Sequence, residues 1–301
     1  MARNLKVTFE RNDSMERVLV TGSAGQLGSE VMKCFDSSSF EVHGTFNETV
    51  PNLRGNFHKM DLLEGDEIKQ TIGSIDPDVI IHCAAMTDVD KCQREPELAK
   101  AINQESTETI SKISTKIGSR LFYVSTDCVF DGKDGDYREG DPTNPIQVYG
   151  ETKLGGEEAV SKLAKDSFCI VRTSVVFGPK PGNFVSWVID ALQSGEEISV
   201  VGDQIVTPTY SVDLAEKIFR LVSGHENGIW NISCSDRMSR LEMACIISNT
   251  LRSEGHSINS AEMKDMEWSA KRPVDSSLNT EKISRICQTH TFEECLRKMM
   301  E

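Results

Sequence analysis

The chain has 301 residues, of which 33 are Lys or Arg and 47 are Asp or Glu, so its formal net charge is −14. The length fits one large α/β domain or two coupled ones, and a hydrophobic content of 38% excludes an intrinsically disordered chain. The acidic balance argues against general binding to nucleic acid or anionic lipid, because both require a basic surface.

The nine cysteines are scattered and form neither a C-x-x-C pair nor a Cys/His cluster with zinc spacing. We therefore expect reduced thiols and no metal site. No segment approaches the roughly 20 apolar residues of a membrane span. Residues 1–14 are polar, which predicts a flexible leader and no signal peptide. These features predict a cytoplasmic protein that does not bind membranes.

From Arg17 onwards, short β-branched segments alternate with segments of helical periodicity. This alternation predicts a parallel sheet covered by helices on both faces. The first strand is VLVTG, and further strands are predicted at residues 40–45, 79–83, 121–124 and 168–172. A helix is predicted to begin at Pro96, since proline suits the first turn of a helix.

After Arg172 the alternation loosens. A helix is predicted at residues 184–194 with its end at Gly195, a second from about Asp213 to Gly224, and then a strand, GIWNIS. Ser239 and Glu242 form an S-x-x-E capping box, which predicts a helix that ends near Gly255.

Three glycines, Gly22, Gly25 and Gly28, lie between the first strand and the first predicted helix, in the spacing G-x-x-G-x-x-G. Such a turn lets backbone amides at a helix N-terminus hold a pyrophosphate. We therefore predict a Rossmann-like, doubly wound parallel sheet. Residues 15–172 would be its dinucleotide-binding domain, with returning segments at about 210–232, and residues 173–301 mainly a smaller, interleaved substrate-binding lobe. The alternative is a structural module in which the glycines serve packing alone.

The second predicted strand ends in Gly44-Thr45-Phe46-Asn47. This position usually carries an acid that binds the ribose 2′-hydroxyl of NADH or an arginine that binds the 2′-phosphate of NADPH. Neither residue is present, so the choice between NADPH and NADH stays open. Asp61 is a candidate for contact with the adenine amino group, and an N-cap role explains it equally well.

Tyr149 and Lys153, in VYGETKLGGEE, are four residues apart at a predicted helix start, so their side chains lie on one face. We expect the ammonium and the positive end of the helix to lower the pKa of the phenol. A phenol poised nearer neutrality can exchange a proton with a developing alkoxide. The alternative is a surface pair without catalytic meaning.

The predicted strand LFYV runs into Ser125-Thr126-Asp127. Open α/β sheets bind ligands at the carboxyl ends of their strands, so Thr126 is placed to hydrogen-bond a substrate carbonyl and Asp127 to contact the substrate. A turn role would explain either residue without chemistry.

Together, TGSAGQLG, HCAAMTDVDKCQREPELAKAIN, VSTDCVFDG, VYGETKLGGEE, VTPTYSVDLA and KRPVDSSLNTEK resemble the extended short-chain dehydrogenase/reductases. Within that superfamily the chain is most similar to the dTDP-4-dehydrorhamnose reductase family, over roughly residues 15–298. The regulatory beta subunit of methionine adenosyltransferase resembles the same family. The resemblance therefore leaves two functions open, a reductase and a non-catalytic NADP-binding subunit.

The resemblance implies NADPH or NADH as cofactor, a 4-keto-6-deoxy nucleotide sugar as substrate, and a homodimer. The implied catalytic residues are Thr126, Tyr149 and Lys153. The implied cofactor-binding residues are Gly22, Gly25, Gln26, Leu27, Gly28, Ala84, Ala85, Thr87 and Arg172, together with Tyr149 and Lys153. Arg272 of KRP would meet the phosphates of the sugar nucleotide, or is a surface charge.

Two residues depart from the family pattern. Cys128 stands where the family commonly has tyrosine, and Val175 stands where it has a tryptophan that packs near the sugar. An epimerase or dehydratase on the same scaffold is a further alternative, although Thr126-Asp127 lacks the Asp-Glu pair expected of a dehydratase.

Overall fold

The computed structural model describes residues 15–36, 39–164, 167–252 and 258–301. The predicted leader at residues 1–14 and Gly255 lie outside these ranges. The helices are α1 (Gly28–Phe35), α2 (Gly65–Ile75), α3 (Val89–Arg94), α4 (Pro96–Lys100), α5 (Ser106–Ile117), α6 (Val148–Leu163), α7 (Phe184–Ser194), α8 (Ser211–Ser223), α9 (Arg240–Leu251), α10 (Glu281–Ser284) and α11 (Phe292–Met300).

The strands are β1 (Glu16–Thr21), β2 (Phe40–Phe46), β3 (Asn56–Lys59), β4 (Val79–His82), β5 (Arg120–Thr126), β6 (Phe168–Thr173), β7 (Val176–Phe177), β8 (Ile198–Val201), β9 (Ile205–Val206), β10 (Thr209–Tyr210), β11 (Gly228–Asn231), β12 (Met238–Ser239) and β13 (Ile258–Ala261). Seven of them form the central sheet in the order β11-β6-β5-β4-β1-β2-β3, and every neighbouring pair is parallel. This is the predicted Rossmann-like, doubly wound sheet.

The sheet is covered on both faces because side chains alternate along each strand. In β1, Val18 and Val20 pack into a cluster that includes residues of α1 and α8. Leu19 packs on the other face, among residues of α2, α5 and α6. The central strands are therefore buried on both sides, which explains why they appear in the sequence as nearly continuous apolar segments.

The five predicted strands are all present, and β11 confirms the strand predicted at GIWNIS. The sequence reading missed β3, whose residues NFHK have an exposed, intermediate, intermediate, exposed burial pattern. Within the part of the chain that the structure describes, this edge strand pairs only with β2, so it needs no apolar segment to bury. Its single apolar side chain, Phe57, does not produce a strand pattern.

The helix predicted to begin at Pro96 does so, but its middle is widened. A π-helical turn at Ala101–Glu105 separates α4 from α5. Asn103, within this turn, accepts a hydrogen bond from the Met86 amide at 2.8 Å and donates to the Met86 carbonyl at 3.0 Å. Turns of this kind occur often at functional sites, and here the turn fixes the segment that follows β4.

The C-terminal helices form a second core with Phe177, Val188, Met243 and Phe292. Helix α7 has the predicted bounds and ends at Gly195, whose φ is 74°. Helix α8 begins at Ser211, two residues before the predicted start at Asp213, and ends before Gly224 as predicted. No helix in the described ranges is long and apolar enough to cross a membrane.

The predicted capping box at the start of α9 is present. The Ser239 hydroxyl accepts from the Glu242 amide at 3.1 Å, and the Glu242 carboxylate accepts from the Ser239 amide at 2.6 Å. The helix ends at Leu251, earlier than predicted, because Arg252 adopts the left-handed conformation with φ 53°.

We predict that Ser239→Ala lowers the free energy of unfolding by about 1 kcal/mol, because an amide at the helix start loses its acceptor. Urea denaturation checks this. Ser248→Ala, inside the same helix, is the control and should leave stability nearly unchanged. Equal effects of the two substitutions would contradict the capping role.

Candidate active site

A cleft of about 1020 Å³ lies at the carboxyl ends of the central strands. Its lining brings together the glycine turn, the ends of β4, β5 and β6, the first turns of α6 and residues of the C-terminal part. Of the site residues predicted from the sequence, the lining includes Gly22, Gly25, Gln26, Leu27, Gly28, Asp61, Ala84, Ala85, Thr87, Thr126, Asp127, Tyr149, Lys153 and Arg272.

The three glycines of the turn meet different geometric demands. Gly22 has φ +67°, and a Cβ there would lie 2.9 Å from the Ala84 Cα atom. A Cβ at Gly28 would lie 2.2 Å from the Gly22 carbonyl oxygen. At Gly25, which lines the cleft, a Cβ would approach only the Gly22 oxygen, at 3.1 Å. At Gly25 the turn therefore presents backbone to the cleft, and a side chain there would occupy part of the cleft. The turn thus fits a dinucleotide pyrophosphate.

A buried histidine secures the floor of this turn. His82 Nδ1 lies 2.7 Å from the Thr21 hydroxyl, which also accepts from the Ala84 amide at 3.1 Å. His82 Nε2 lies 3.1 Å from the Thr107 hydroxyl. Burial lowers the pKa of His82 to about 3, so the imidazole is neutral and acts as a structural bridge. This bridge holds the Ala84 segment against the glycine turn.

Asp61 lines the cleft, but its carboxylate already has a local partner. Its Oδ1 atom accepts from the Leu63 amide at 2.9 Å. The N-cap position of α2 is Glu64, so Asp61 is not the N-cap residue that the sequence allowed. It instead closes the turn ahead of the helix. A contact with adenine stays a prediction.

Helix α6 presents Tyr149 and Lys153 to the cleft, as the four-residue spacing predicts. The helix begins after Gln147, whose side chain accepts from the Gly150 amide at 2.6 Å. At Gly150 a Cβ would lie 2.0 Å from the Cys128 carbonyl oxygen. This close approach presses the first turn of α6 against the segment that follows β5.

Lys153 is held by the strand beneath it. Its Nζ atom donates to the Val124 carbonyl at 2.7 Å and lies 4.1 Å from the centre of the Tyr123 ring. Burial lowers the pKa of Lys153 to about 7, and the charge of Glu157 opposes this shift. The ammonium therefore titrates near neutral pH in this cleft.

The expectation for the pKa of Tyr149 was wrong for the protein alone. Burial raises that pKa, and the nearby Cys128 and Asp127 raise it further. Contact with the Thr126 hydroxyl opposes this rise. Desolvation thus outweighs the effect expected from the Lys153 ammonium, which is itself only partly protonated near neutral pH.

The Thr126 hydroxyl lies at the end of β5, beside Tyr149. It donates to Asp127 Oδ1 at 3.0 Å and accepts from the Cys128 amide at 3.1 Å. The other oxygen of Asp127 accepts from the hydroxyls of Ser174 and Ser276, at 2.7 and 2.5 Å. Asp127, predicted as a substrate contact, is therefore engaged by protein hydroxyls while it lines the cleft.

The structure does not bring the side chain of Arg172 to the cleft. It forms a buried ion pair with Glu157, at 2.7 Å between Nη2 and Oε2, and also donates to the Glu139 carbonyl. Successive side chains on a strand point to opposite faces, so the next residue, Thr173, lines the cleft instead. The buried Thr173 hydroxyl has no hydrogen-bond partner among the described residues.

Sequence reasoning missed three cations that line the cleft, Lys91, Lys180 and Arg240. Arg240, the first residue of α9, lies with its guanidinium 4.8 Å from the centre of the Phe184 ring, and burial lowers its pKa to about 10. Lys180 donates to the Ala24 carbonyl in the glycine turn. The capping box of α9 marked a helix start, and nothing in the local sequence indicated that the start faces the cleft.

Arg272 lines the cleft and is held in place by a partner on each side. Its guanidinium donates to Asp90 Oδ2 at 2.6 Å and lies 4.8 Å from the centre of the Trp268 ring. The surface-charge alternative therefore does not describe it, since the side chain is largely covered and faces the cleft.

One cluster in the described ranges combines potential metal ligands: Asp213, His290 and Cys295, whose ligand atoms lie within 4.8 Å of one another. Asp213 Oδ2 accepts from Lys217 Nζ at 3.0 Å and lies 2.9 Å from His290 Nδ1. A buried ion pair accounts for this arrangement.

A glycine cradle, a tyrosine and lysine on one helix face and a threonine at a strand end share one cleft, and this set defines a short-chain dehydrogenase/reductase that uses NADPH or NADH. Residues 15–301 match the model of the RmlD substrate binding domain. The chain belongs to this family, the dTDP-4-dehydrorhamnose reductase family of the extended short-chain dehydrogenases/reductases.

Named relatives agree with this assignment. The chain is 32% identical to dTDP-4-dehydrorhamnose reductase of Escherichia coli over 283 residues, 89% of this chain and 91% of that protein. It is 33% identical over 242 residues to methionine adenosyltransferase 2 subunit beta of Xenopus tropicalis, covering 77% of this chain and 71% of the relative. The crystal structure of dTDP-4-dehydrorhamnose reductase from Bacillus anthracis in complex with NADP superposes with a TM-score of 0.87, at 31% identity, covering 95% of this chain and 99% of that one.

We predict that Gly25→Val blocks binding of NADPH and NADH without unfolding the chain, because the new side chain fills the pyrophosphate cradle. Isothermal titration measures the binding, and thermal denaturation reports the fold. Gly140→Val is the matched control, since a Cβ at that position meets nothing within 4 Å. Unchanged affinity in Gly25→Val would count against the cradle.

Proposed function

We propose that the protein reduces the C4 ketone of a 4-keto-6-deoxy nucleotide sugar, with dTDP-4-dehydrorhamnose as the leading substrate and dTDP-L-rhamnose as the product. The observation that carries the proposal is the shared cleft, which Thr126, Tyr149 and Lys153 line together with the glycine cradle. The E. coli and B. anthracis relatives, named for this reaction, support the same choice.

Each catalytic residue has a separate role in the proposed reaction. Bound NADPH or NADH supplies the hydride. Tyr149 donates a proton to the oxygen that becomes the new hydroxyl, and Thr126 hydrogen-bonds the same oxygen. Lys153 holds the nicotinamide ribose and, when protonated, lowers the pKa of the phenol. The high pKa of buried Tyr149 keeps its proton in place until the ketone has bound.

Two arginines provide the diphosphate site. Arg240 and Arg272 both line the cleft; burial lowers the pKa of Arg240, and the positive charge of Arg272 lowers it further. A diphosphate between them would relieve this repulsion and accept hydrogen bonds from both guanidinium groups. Although the chain is acidic overall, basic side chains thus lie where an anionic substrate would bind.

A non-catalytic role is the second candidate. The Xenopus relative, named a subunit of methionine adenosyltransferase, belongs to the same set of similar proteins. Co-purification with a larger synthetase, without turnover of nucleotide sugars, would favour that role. A dehydratase is less well supported, because Asp127 is followed by Cys128 and its oxygens accept hydrogen bonds from hydroxyls.

Turnover of dTDP-4-dehydrorhamnose with NADPH, followed by loss of the dihydronicotinamide absorbance, tests the proposal directly. Net oxidation of the cofactor identifies a reductase, whereas an epimerase gives none. Thermal shifts with dTDP, UDP and GDP sugars in the presence of NADPH identify the base, because a ligand stabilises the state that binds it. We also expect a homodimer in the cytoplasm, which size-exclusion chromatography and cell fractionation examine.

Tyr149→Phe should lower kcat by about two to four orders of magnitude, since it removes only the transferable proton. Cofactor affinity should stay within a few fold. The two measurements are single-turnover kinetics and NADPH titration. Normal turnover in this variant would overturn the assignment of Tyr149.

Arg240→Met should raise the KM for the nucleotide sugar by roughly ten- to a hundredfold, because a charged hydrogen bond to the diphosphate is lost. The affinity for free dTDP should fall in parallel, while that for NADPH changes little. Arg252→Met, just beyond the end of the same helix, serves as the control. Equal affinities for dTDP in the two variants would rule out the diphosphate role.

A further inference from the structure

The carboxyl group of Asp127 is enclosed by hydroxyls from three separate segments. Thr126 Oγ1 donates to Oδ1 at 3.0 Å. Ser174, which follows β6, and Ser276, between β13 and α10, donate to Oδ2 at 2.7 and 2.5 Å. Asp127 is 5% exposed, so these hydroxyls replace water around the carboxyl group. This enclosure is more than a turn at the end of a strand requires.

In this arrangement the Thr126 hydroxyl gives its one proton to Asp127 and has none to donate to a ketone. A hydroxyl has one proton to donate and two lone pairs that accept. Thr126 gives its proton to Asp127 and accepts from the Cys128 amide at 3.1 Å. It therefore offers the cleft a lone pair, which cannot hydrogen-bond a ketone oxygen.

One proton on Asp127 reverses this bond. A proton on Oδ1 is donated to Thr126 Oγ1, whose second lone pair still accepts from the Cys128 amide. The Thr126 proton is then free to turn towards the cleft. Ser174 and Ser276 keep their bonds to Oδ2. The total number of hydrogen bonds within the cluster is unchanged.

We propose that Asp127 is a positioning residue whose protonated form turns the Thr126 hydroxyl towards the substrate ketone. The inference rests on the proposed role of Thr126 in carbonyl reduction. It replaces the expectation that Asp127 contacts the sugar, since Asp127 acts through Thr126. The ionised form of Asp127 is the form that holds Thr126 in the opposite, unproductive direction.

Several charged or titratable groups face this carboxyl group. Arg240 from α9 favours the ionised form, while Cys128 and Tyr149 are the titratable neighbours on the segment after β5 and on α6. Burial has the largest effect and raises the pKa of Asp127. The protonated form is thus more populated than for an exposed aspartate, and it is lost as the pH rises through this raised value.

The test is the pH dependence of kcat for carbonyl reduction in the intact protein. In the wild type, kcat should fall on the alkaline side as Asp127 ionises. Asp127→Asn should remove this ionisation from the profile and leave only that of Lys153, because the amide nitrogen permanently donates to Thr126. Ser276→Ala deletes a donor to the carboxylate, so it should move the decline upwards by about one pH unit. Ser194→Ala, at the end of α7, should leave the profile unchanged.

The proposal fails if the profile of Asp127→Asn is the same as that of the wild type, which would assign the whole decline to Lys153 or Tyr149, or if Ser276→Ala leaves the midpoint in place. Should Asp127→Asn not fold, the Ser276→Ala midpoint decides alone. If the wild type turns over no nucleotide sugar, the proposed function has failed, and infrared difference spectra still test the proton. The proposal is supported if the wild type shows a carboxylic acid band that is lost as the pH is raised and that Asp127→Asn lacks. It is contradicted if the wild type shows only the carboxylate band of Asp127 at every pH.

Discussion

The geometry of the active site depends on one buried carboxylate. Glu157 lies two turns along α6 from Tyr149 and one turn from Lys153, and its oxygens accept from Arg172 on β6 and from Ser125 on β5, the latter at 2.5 Å. These bonds fix the rotation of α6 relative to two strands, and so the direction in which the catalytic side chains point. Loss of one partner in a buried pair typically costs about 3–5 kcal/mol, whereas an apolar pair of similar volume is often as stable. We therefore infer that this pair matters more for the orientation of α6 than for the stability of the fold.

Much of the fold follows from periodicity in the sequence. The alternation of β-branched segments with helical ones predicted the sheet, and the capping box at Ser239 predicted the start of α9. These predictions succeed because the features depend on residues that are close to one another in the sequence. Two features could not be predicted from periodicity. The edge strand β3 has little apolar surface to bury. The early end of α9 depends on the backbone conformation of Arg252.

The site was predictable in so far as it consists of strand ends and helix starts. Tyr149, Lys153 and Thr126 meet in one cleft because parallel strands present their carboxyl ends at one edge of the sheet. Pairings between distant residues were not predictable. Arg172 turns to Glu157, 15 residues away, and Arg240 reaches the cleft only through the packing of the C-terminal part. The pKa of Tyr149 depends on burial, which the helical spacing alone does not report.

The pKa of about 7 for Lys153 has a thermodynamic consequence. Near neutral pH a share of the molecules carries an uncharged amine in the cleft. Any anion that enters the cleft favours the ammonium form, so association with a negatively charged dinucleotide is coupled to uptake of a proton from the buffer. Because such coupling is reciprocal, acidification strengthens retention of the dinucleotide, and the heat released on binding varies with the ionisation enthalpy of the buffer.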